Sequence, residues 1–276
     1  MSKRYQILFL IIFIGLGSIL CSSLTYATST SEVSAWVDWS TFQVTVNGSL
    51  PTYNGQSSSS NANAGYTDIG VGADPQWASG WGSLTSLVTI PNVTGNGFTT
   101  PDLLQADGSA IADGITSTYA RATANAYRIG YFYVESDSWL IASATFNLEQ
   151  IFSYDPSFET VGGYNEYRIG LYRVNPSTGI SEKIDENLDK FFHYGFQGSG
   201  NMNGTWTETD ELLGISYFLD GGYTYGVDVS IYSDANCGTT ALAPVPEPAT
   251  MLLIVSGLIG LAGYGRKKFF KKGINI

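Results

Sequence analysis

Histidine occurs once in the 276 residues and cysteine twice, and charged residues make up only 13% of the chain. One histidine excludes metal sites built from several imidazoles and leaves Ser-His-Asp or Cys-His catalysis only His193 to use. That residue sits in Phe191-Phe192-His193-Tyr194, an aromatic, strand-like context in which a packed or partly exposed imidazole is expected. Cys21 lies at the end of an apolar N-terminal run, so Cys237 is alone in the body of the chain and no internal disulfide can form there. Burial is its expected state. Basic residues are scarce as well, with 13 Lys and Arg against 24 Asp and Glu and a formal charge of −11, which excludes a basic nucleic-acid binder. Three catalytic or binding signatures are also missing. Gly195-Phe196-Gln197-Gly198-Ser199 does not make a Gly-x-Ser-x-Gly nucleophile elbow, and no Gly-rich phosphate loop stands at a strand-to-helix turn. Counted from Asp107, the twelve-residue calcium loop would want oxygen-bearing ligands where Ser109 and Ile111 stand.

What is present is clearest at the two ends. Lys3 and Arg4 precede an apolar run from Ile7 to Leu20, and Thr25-Tyr26-Ala27 offers small residues for cleavage after Ala27. Residues 1–27 therefore read as a secretory signal peptide. An uncleaved anchor is the alternative. Lipid attachment through Cys21 fits less well, because Leu20 stands where a small residue is wanted. At the other end, Val245-Pro246-Glu247-Pro248 is a rigid extended stretch, since each proline fixes its own φ and biases its predecessor away from helix. The uncharged, mostly apolar segment that follows, about residues 249–265, could just span a bilayer core of ~30 Å at ~1.5 Å per residue. Arg266, Lys267, Lys268, Lys271 and Lys272 come next. Basic flanks stay cytoplasmic, so everything before Val245 is expected outside, the orientation that Lys3 and Arg4 independently demand.

The order Pro-Glu-Pro, short apolar helix, basic cluster resembles the PEP-CTERM sorting tail of Gram-negative bacteria. The resemblance is confined to residues 245–276, with Val245, Pro246, Glu247 and Pro248 at the recognition motif and Arg266, Lys267 and Lys268 at the cytoplasmic stop. It implies recognition by an exosortase, a membrane-embedded cysteine protease, and removal of the helix. It also implies passage from a transient inner-membrane anchor to the cell surface or the extracellular polymer matrix. An ordinary tail anchor is the plainer alternative.

Between the two ends, residues 28–244 read as a single domain with six basic residues (Arg121, Arg128, Arg168, Arg173, Lys183 and Lys190) and 23 acidic ones, a balance of −17. Such a body repels nucleic acid and anionic membranes and attracts divalent cations. Period-two alternation dominates it. Phe42 to Val46 alternates and ends at Asn47-Gly48, a hairpin signal. From Tyr119 to Val134 the odd positions are mostly bulky or polar, while Ala120, Ala122, Ala124 and Ala126 make a small face suited to close packing on a second sheet. Leu140, Ala142, Ala144, Phe146 and Leu148 line one face of the next segment. Ile215–Leu219, Asp220-Gly221-Gly222 and Tyr223–Tyr232 read as a further hairpin. Tyr127-Arg128-Ile129-Gly130 recurs as Tyr167-Arg168-Ile169-Gly170, which reads as two equivalent strands rather than a duplication. Two stretches are expected to differ: residues 53–67, with Ser57 to Ser60 unbroken, as a flexible loop, and residues 180–192 as a short helix, a turn or a solvated acidic loop. The fold expected is all-β, an antiparallel β-sandwich of jelly-roll type, with a signal helix and a transmembrane helix outside it.

Candidate chemistry is thin. The carboxylate pairs Glu135/Asp137, Glu159/Glu166 and Glu208/Asp210 fit a glycosidase only if two carboxyls converge at ~5–9.5 Å, and rim carboxylates that keep the protein soluble explain them more simply. No cofactor is expected. Ca²⁺ is the one metal weighed, through Asp107 and Asp113, read as one loop, or through Asp185, Glu186 and Asp189. All six tryptophans lie in the body, and Trp77 and Trp81, read as loop-borne, are the candidates for stacking on sugar rings, against a plainer role capping the core. The function expected is that of a non-enzymatic, exported surface or matrix protein whose partners are the export machinery and exosortase. A carbohydrate-binding module of the extracellular polysaccharide comes second, and a weak carboxylate-dependent hydrolase third.

Overall fold

The computed structural model describes residues 28–66, 72–114, 118–196 and 198–239. Both terminal signals lie outside them, as do Ala27, the Val245–Pro248 motif and the basic stop. Among the described residues no helix is long and apolar enough to cross a membrane. They form β1 (Ser29–Asp38), β2 (Gln43–Val46), β3 (Tyr53–Tyr66), β4 (Gly72–Ser79), β5 (Leu84–Ile90), β6 (Val93–Thr100), β7 (Leu103–Ala112), β8 (Tyr119–Val134), β9 (Ser138–Ser153), β10 (Glu159–Val174), β11 (Ser181–Gly195), β12 (Gly204–Leu219) and β13 (Tyr223–Thr239).

The strands build two antiparallel sheets packed face to face. Sheet A runs β12-β9-β1-β7-β6-β5, with β2 also on β9, and sheet B runs β11-β10-β13-β8-β3-β4. A single 3₁₀ turn, Trp39–Thr41, separates β1 from β2, and both strands pair along the same side of β9. Side chains from both sheets share one apolar interior, because the alternation puts every second residue inside. One cluster is bulky: Leu104, Leu140, Phe146 and Leu148 of sheet A meet Phe132, Tyr167, Ile169 and Tyr225 of sheet B. A second cluster sets Val33, Ala110, Ala112 and Phe152 of sheet A against Ala64, Ala120, Ala122, Val161 and Ala235 of sheet B. The sheets approach closely over the inward glycines of β6. A Cβ at Gly95 would lie 2.6 Å from the Asn63 carbonyl oxygen and 2.7 Å from that of Thr123, so only glycine fits there.

The alanine face of β8 and the apolar face of β9 are buried as the sequence predicts. Four expectations fail. Residues 53–66 are a strand, because Ser58, Ser60, Ala62 and Ala64 alternate inward. Small side chains are what a closely packed inner face requires, and the buried hydroxyls find partners: Ser58 Oγ donates to the Gly80 carbonyl (2.9 Å) and Ser60 Oγ bonds Ser86 Oγ (2.8 Å). Residues 181–195 are likewise a strand, at the edge of sheet B, where most of the acids face water. Asp107 and Gly108 sit inside β7 rather than in a loop with Asp113. Finally, β12 and β13 are not a hairpin. The Asp220-Gly221-Gly222 turn carries the chain from sheet A to sheet B, and alternation on its two sides looks the same whether the strands pair or oppose.

Asn47 and Gly48 do form the expected tight turn, with φ of 51° and 77°, but it closes on a single bridge, Val46 with Ser49. The recurring Tyr-Arg-Ile-Gly segments occupy the strands on either side of β13, one residue out of step: Val229 pairs with Arg128 on one side and with Ile169 on the other. A one-residue slip exchanges faces. Arg128 therefore points inward, fully buried, while Arg168 points outward; Tyr167 is inside, stacked on Phe146 at 4.9 Å, and Tyr127 is outside.

Candidate functional site

The carboxylate pairs sit in three different settings. Glu135 and Asp137 lie in the turn between β8 and β9, where Asp137 accepts the Gly221 N–H at 2.8 Å. Glu159 and Glu166 fall on opposite faces of β10: Glu159 is buried, accepting the Asp155 N–H at 2.5 Å, and Glu166 is outside. Burial raises the Glu159 carboxyl above its ordinary value. A bulge in β12 separates Glu208 from Asp210. Glu208 accepts the Tyr167 hydroxyl at 3.1 Å, and the backbone N–H of Asp210, at φ 58°, donates to Asn147 Oδ1 at 3.0 Å. Asp107 accepts from Ser34 Oγ at 2.5 Å and from Gln105 Nε2 at 2.8 and 3.0 Å, and Asp113 accepts from Asn92 Nδ2 at 2.9 Å. Among the described residues no three His, Cys, Asp or Glu side chains gather where they could hold a metal ion.

His193 is packed. Its ring lies 4.9 Å from Trp206 and 4.8 Å from Phe191, Nδ1 bonds Gln150 Oε1 at 3.1 Å, and burial lowers its pKa. Gln150 passes this bond to Asn165 (2.7 Å), so a chain of amides ties β11 through the interior to both sheets. Cys237 is buried and unpaired, its thiol pushed up to about 12 by burial.

The two stacking candidates separate. Trp81 is engaged: its Nε1 donates to the Ile129 carbonyl at 3.0 Å, and its ring meets Trp39, Tyr53 and Phe42 at 5.2, 4.9 and 6.0 Å. Under this cluster the Arg128 guanidinium lies 4.6 Å over Trp39, donates to the Thr100 carbonyl, and is brought down to about 10 by burial. Trp81 caps the core. Trp77 is on the edge strand β4 rather than in a loop, and is 70% exposed.

Trp77 belongs to a face that the sequence showed only in part. Cross-strand pairing sets Trp77, Ser59, Tyr127, Ser230 and Arg168 in one row across five strands of sheet B, all pointing outward. The adjacent row holds Asn61, Asn125, Tyr232 and Glu166. A depression of about 320 Å³ lies over these rows, lined by Ser59, Asn125, Tyr127, Glu166, Arg168 and Tyr232. A second, of about 370 Å³, adjoins it at Tyr232 and includes Asn63, Tyr119, Arg121 and Thr123. The cations here are matched by carboxylates: Arg168 with Asp228 at 2.7 Å, Arg121 with Asp234 at 2.5 Å, and Lys190 with Glu166 at 3.5 Å. Burial raises the Tyr127 and Tyr164 phenols, which keeps them protonated donors, and Tyr164 gives its proton to a hydrogen bond with Glu166. The odd positions of β8, Tyr119 to Tyr133, were the signal for this face.

Residues 244–267 match the PEP-CTERM protein-sorting motif. No curated protein matches the chain. Among solved structures, pT26-6p is 10% identical, covering 89% of this chain and 66% of its own, with a TM-score of 0.18. TmCBM61 in complex with β-1,4-galactotriose is 10% identical over 41% of this chain and 67% of its own, at 0.11. Procruciferin, an 11S globulin from Brassica napus, is 7% identical over 78% and 73%, at 0.10. The chain thus spans about two thirds of the first two, and at these scores no common fold follows. The tail alone is informative: it marks an exported chain sorted by exosortase.

Proposed function

We propose that this is a cell-surface or extracellular-matrix protein whose body does no chemistry. It is made with a signal peptide cleaved after Ala27, held transiently in the inner membrane by the helix at about 249–265 with the body in the periplasm, and released when exosortase removes that helix. The observation that carries this reading is the sorting motif at residues 244–267, with Val245, Pro246, Glu247 and Pro248 at its head, Arg266 and Lys267 at its end and Lys268 directly after it. The body is in keeping with it: two antiparallel sheets, between which β7, β8, β9 and β10 alternate. Mass spectrometry of the protein from its native host tests the reading. The mature chain should begin at Thr28 and end near Pro246 to Pro248; a full-length chain recovered intact from the cytosol would sink it.

A second reading has one observation in its favour. Trp77 presents its ring to solvent on a sheet face rich in Tyr, Asn and Ser, the composition with which proteins hold sugar rings by stacking and hydroxyl bonding. On it the body is a carbohydrate-binding module of the extracellular polymer. Retention of the protein by polysaccharide gels is the direct test.

A further inference from the structure

The row from Trp77 to Arg168 has direction, chemistry and charge that narrow what it can hold. It crosses four strand spacings, about 19 Å at ~4.8 Å each, and its depression continues past Tyr232 toward Arg121. Such a length accepts several sugar rings in line. Rings stand at intervals: Trp77 at the edge strand, Tyr127 in the middle, and Tyr232 beside it with Tyr164 edge-on at 5.9 Å. Between them Ser59, Asn125 and Ser230 present small hydrogen-bonding groups, and the Arg168 side chain lines the same depression. An extended peptide would instead look for an unpaired strand edge or an apolar groove. The central strands here are paired on both sides and the lining is polar.

Charge decides the class of glycan. Arg168, Arg121 and Lys190 are each committed to a carboxylate, so the face shows dipoles and not a cationic strip. The body around it carries −17. A polyanion would meet repulsion without a compensating site. An uncharged chain meets none.

We propose that the outer face of sheet B binds a neutral polysaccharide laid across the strands from Trp77 to Arg168, stacked on Trp77 and Tyr127 and hydrogen-bonded by Asn125 and Arg168. The assignment rests on the carbohydrate-binding reading above and adds to it the place, the orientation and the neutrality of the ligand. Affinity electrophoresis of the full chain in detergent tests it, with xylan, mannan and β-glucan as neutral probes and polygalacturonate as the anionic one. Retardation by at least one neutral probe and none by polygalacturonate is the expected result. Trp77→Ala should weaken that binding about tenfold, the worth of one lost ring stack. Tyr127→Ala should weaken it several-fold, Trp77→Phe should keep part of it, and Trp139→Ala, on the outer face of sheet A, should leave it unchanged. Thermal melts establish that each variant is folded. Neutral-probe binding that survives both Trp77→Ala and Tyr127→Ala would overturn the site while leaving the carbohydrate reading standing, and retardation by polygalacturonate alone would overturn the neutrality. Failure of every probe would remove the reading and the inference together.

Discussion

The two outer faces of this protein are built from the same period-two pattern and differ in how they treat charge. All six basic residues of the body belong to β8, β10 and β11 of sheet B. The strands of sheet A carry Glu32, Asp38, Asp107, Glu149, Glu208, Asp210 and Glu211 and no cation at all. Sheet B thus sets Arg121, Arg168 and Lys190 against Asp234, Asp228 and Glu166, beside tyrosine rings. Sheet A leaves Glu32, Asp107 and Glu149 around one depression of about 410 Å³, and its exposed rings, Trp139 and Phe218, gather as an edge-on pair at 5.5 Å. Face A carries acids without cations, and face B carries polar groups whose charges are matched. That contrast is open to attack at its most expensive point, the Asp228–Arg168 pair.

Asp228 is completely buried beneath the outer face, bonded by Arg168 at 2.7 Å and by the Tyr172 hydroxyl at 3.2 Å. Removing one partner of a buried pair leaves the other without compensation, so Asp228→Ala should cost about 3 kcal/mol in urea unfolding. Burial outweighs the attraction of Arg168 and raises the Asp228 carboxyl above its ordinary value. The sign follows: the fold prefers the protonated acid, so this group's contribution is complete below the ordinary carboxylate range and declines as pH rises through the raised value. Asp228→Asn should therefore cost less than Asp228→Ala and flatten that stretch of the stability–pH profile. A loss as small as that from any exposed acid of sheet A would erase the distinction between the faces.

The other pair on face B is expected to matter less. Arg121 is half exposed, its side chain at 52% against 11% for Asp234, although the contact is bidentate at 3.0 and 2.5 Å. Water and salt screen such a pair, so Arg121→Ala should cost about 0.5–1 kcal/mol, and less at high ionic strength. The ratio of the two losses measures how far burial, rather than pairing as such, sets the stiffness of this surface.

Much of face B was visible in the amino-acid order, and the reason it was only partly read is physical. Alternation in β8 separated Ala120, Ala122, Ala124 and Ala126 from the tyrosines and Asn125 opposite them, and both faces are where that reading puts them. Alternation does not say which strands are neighbours. Nothing local tells the Asp220-Gly221-Gly222 turn to cross between sheets, and nothing in Tyr-Arg-Ile-Gly reports the single-residue offset across β13 that buries Arg128 and exposes Arg168. The Ser57–Ser60 run was read as a loop because its polarity resembles solvated chain. In the fold it is an inner strand, since a narrow gap between sheets favours small side chains and the hydroxyls are satisfied across it. Trp77 and Trp81, four residues apart and similar in context, were inseparable until the fold placed one on an edge strand and the other against Trp39 and Tyr53. The site was therefore legible as a set of residue types, and its assembly from five strands was not.

Sheet A offers the smallest and most discriminating measurement. Glu149 lies beside Ser34 across β1, within the depression that also holds Glu32 and Asp107, and no Lys or Arg stands on any strand of that sheet. At surface separations of a strand spacing or two, like charges in high dielectric repel by a few tenths of a kcal/mol. Glu149→Gln should therefore leave stability unchanged or raise it by about 0.3 kcal/mol at low salt, and the gain should vanish as added salt shortens the screening length. The matching change on face B, Glu166→Gln, removes the charged partner of Lys190 and leaves the Tyr164 hydroxyl a neutral amide acceptor in place of a carboxylate, and should lower stability under the same conditions. Opposite signs from the same chemical substitution on two faces of one sandwich would establish that the cations are placed to neutralise sheet B and not merely scattered. Equal signs would mean that the faces differ in composition alone, and that the paired charges beside the tyrosines carry no organisation of their own.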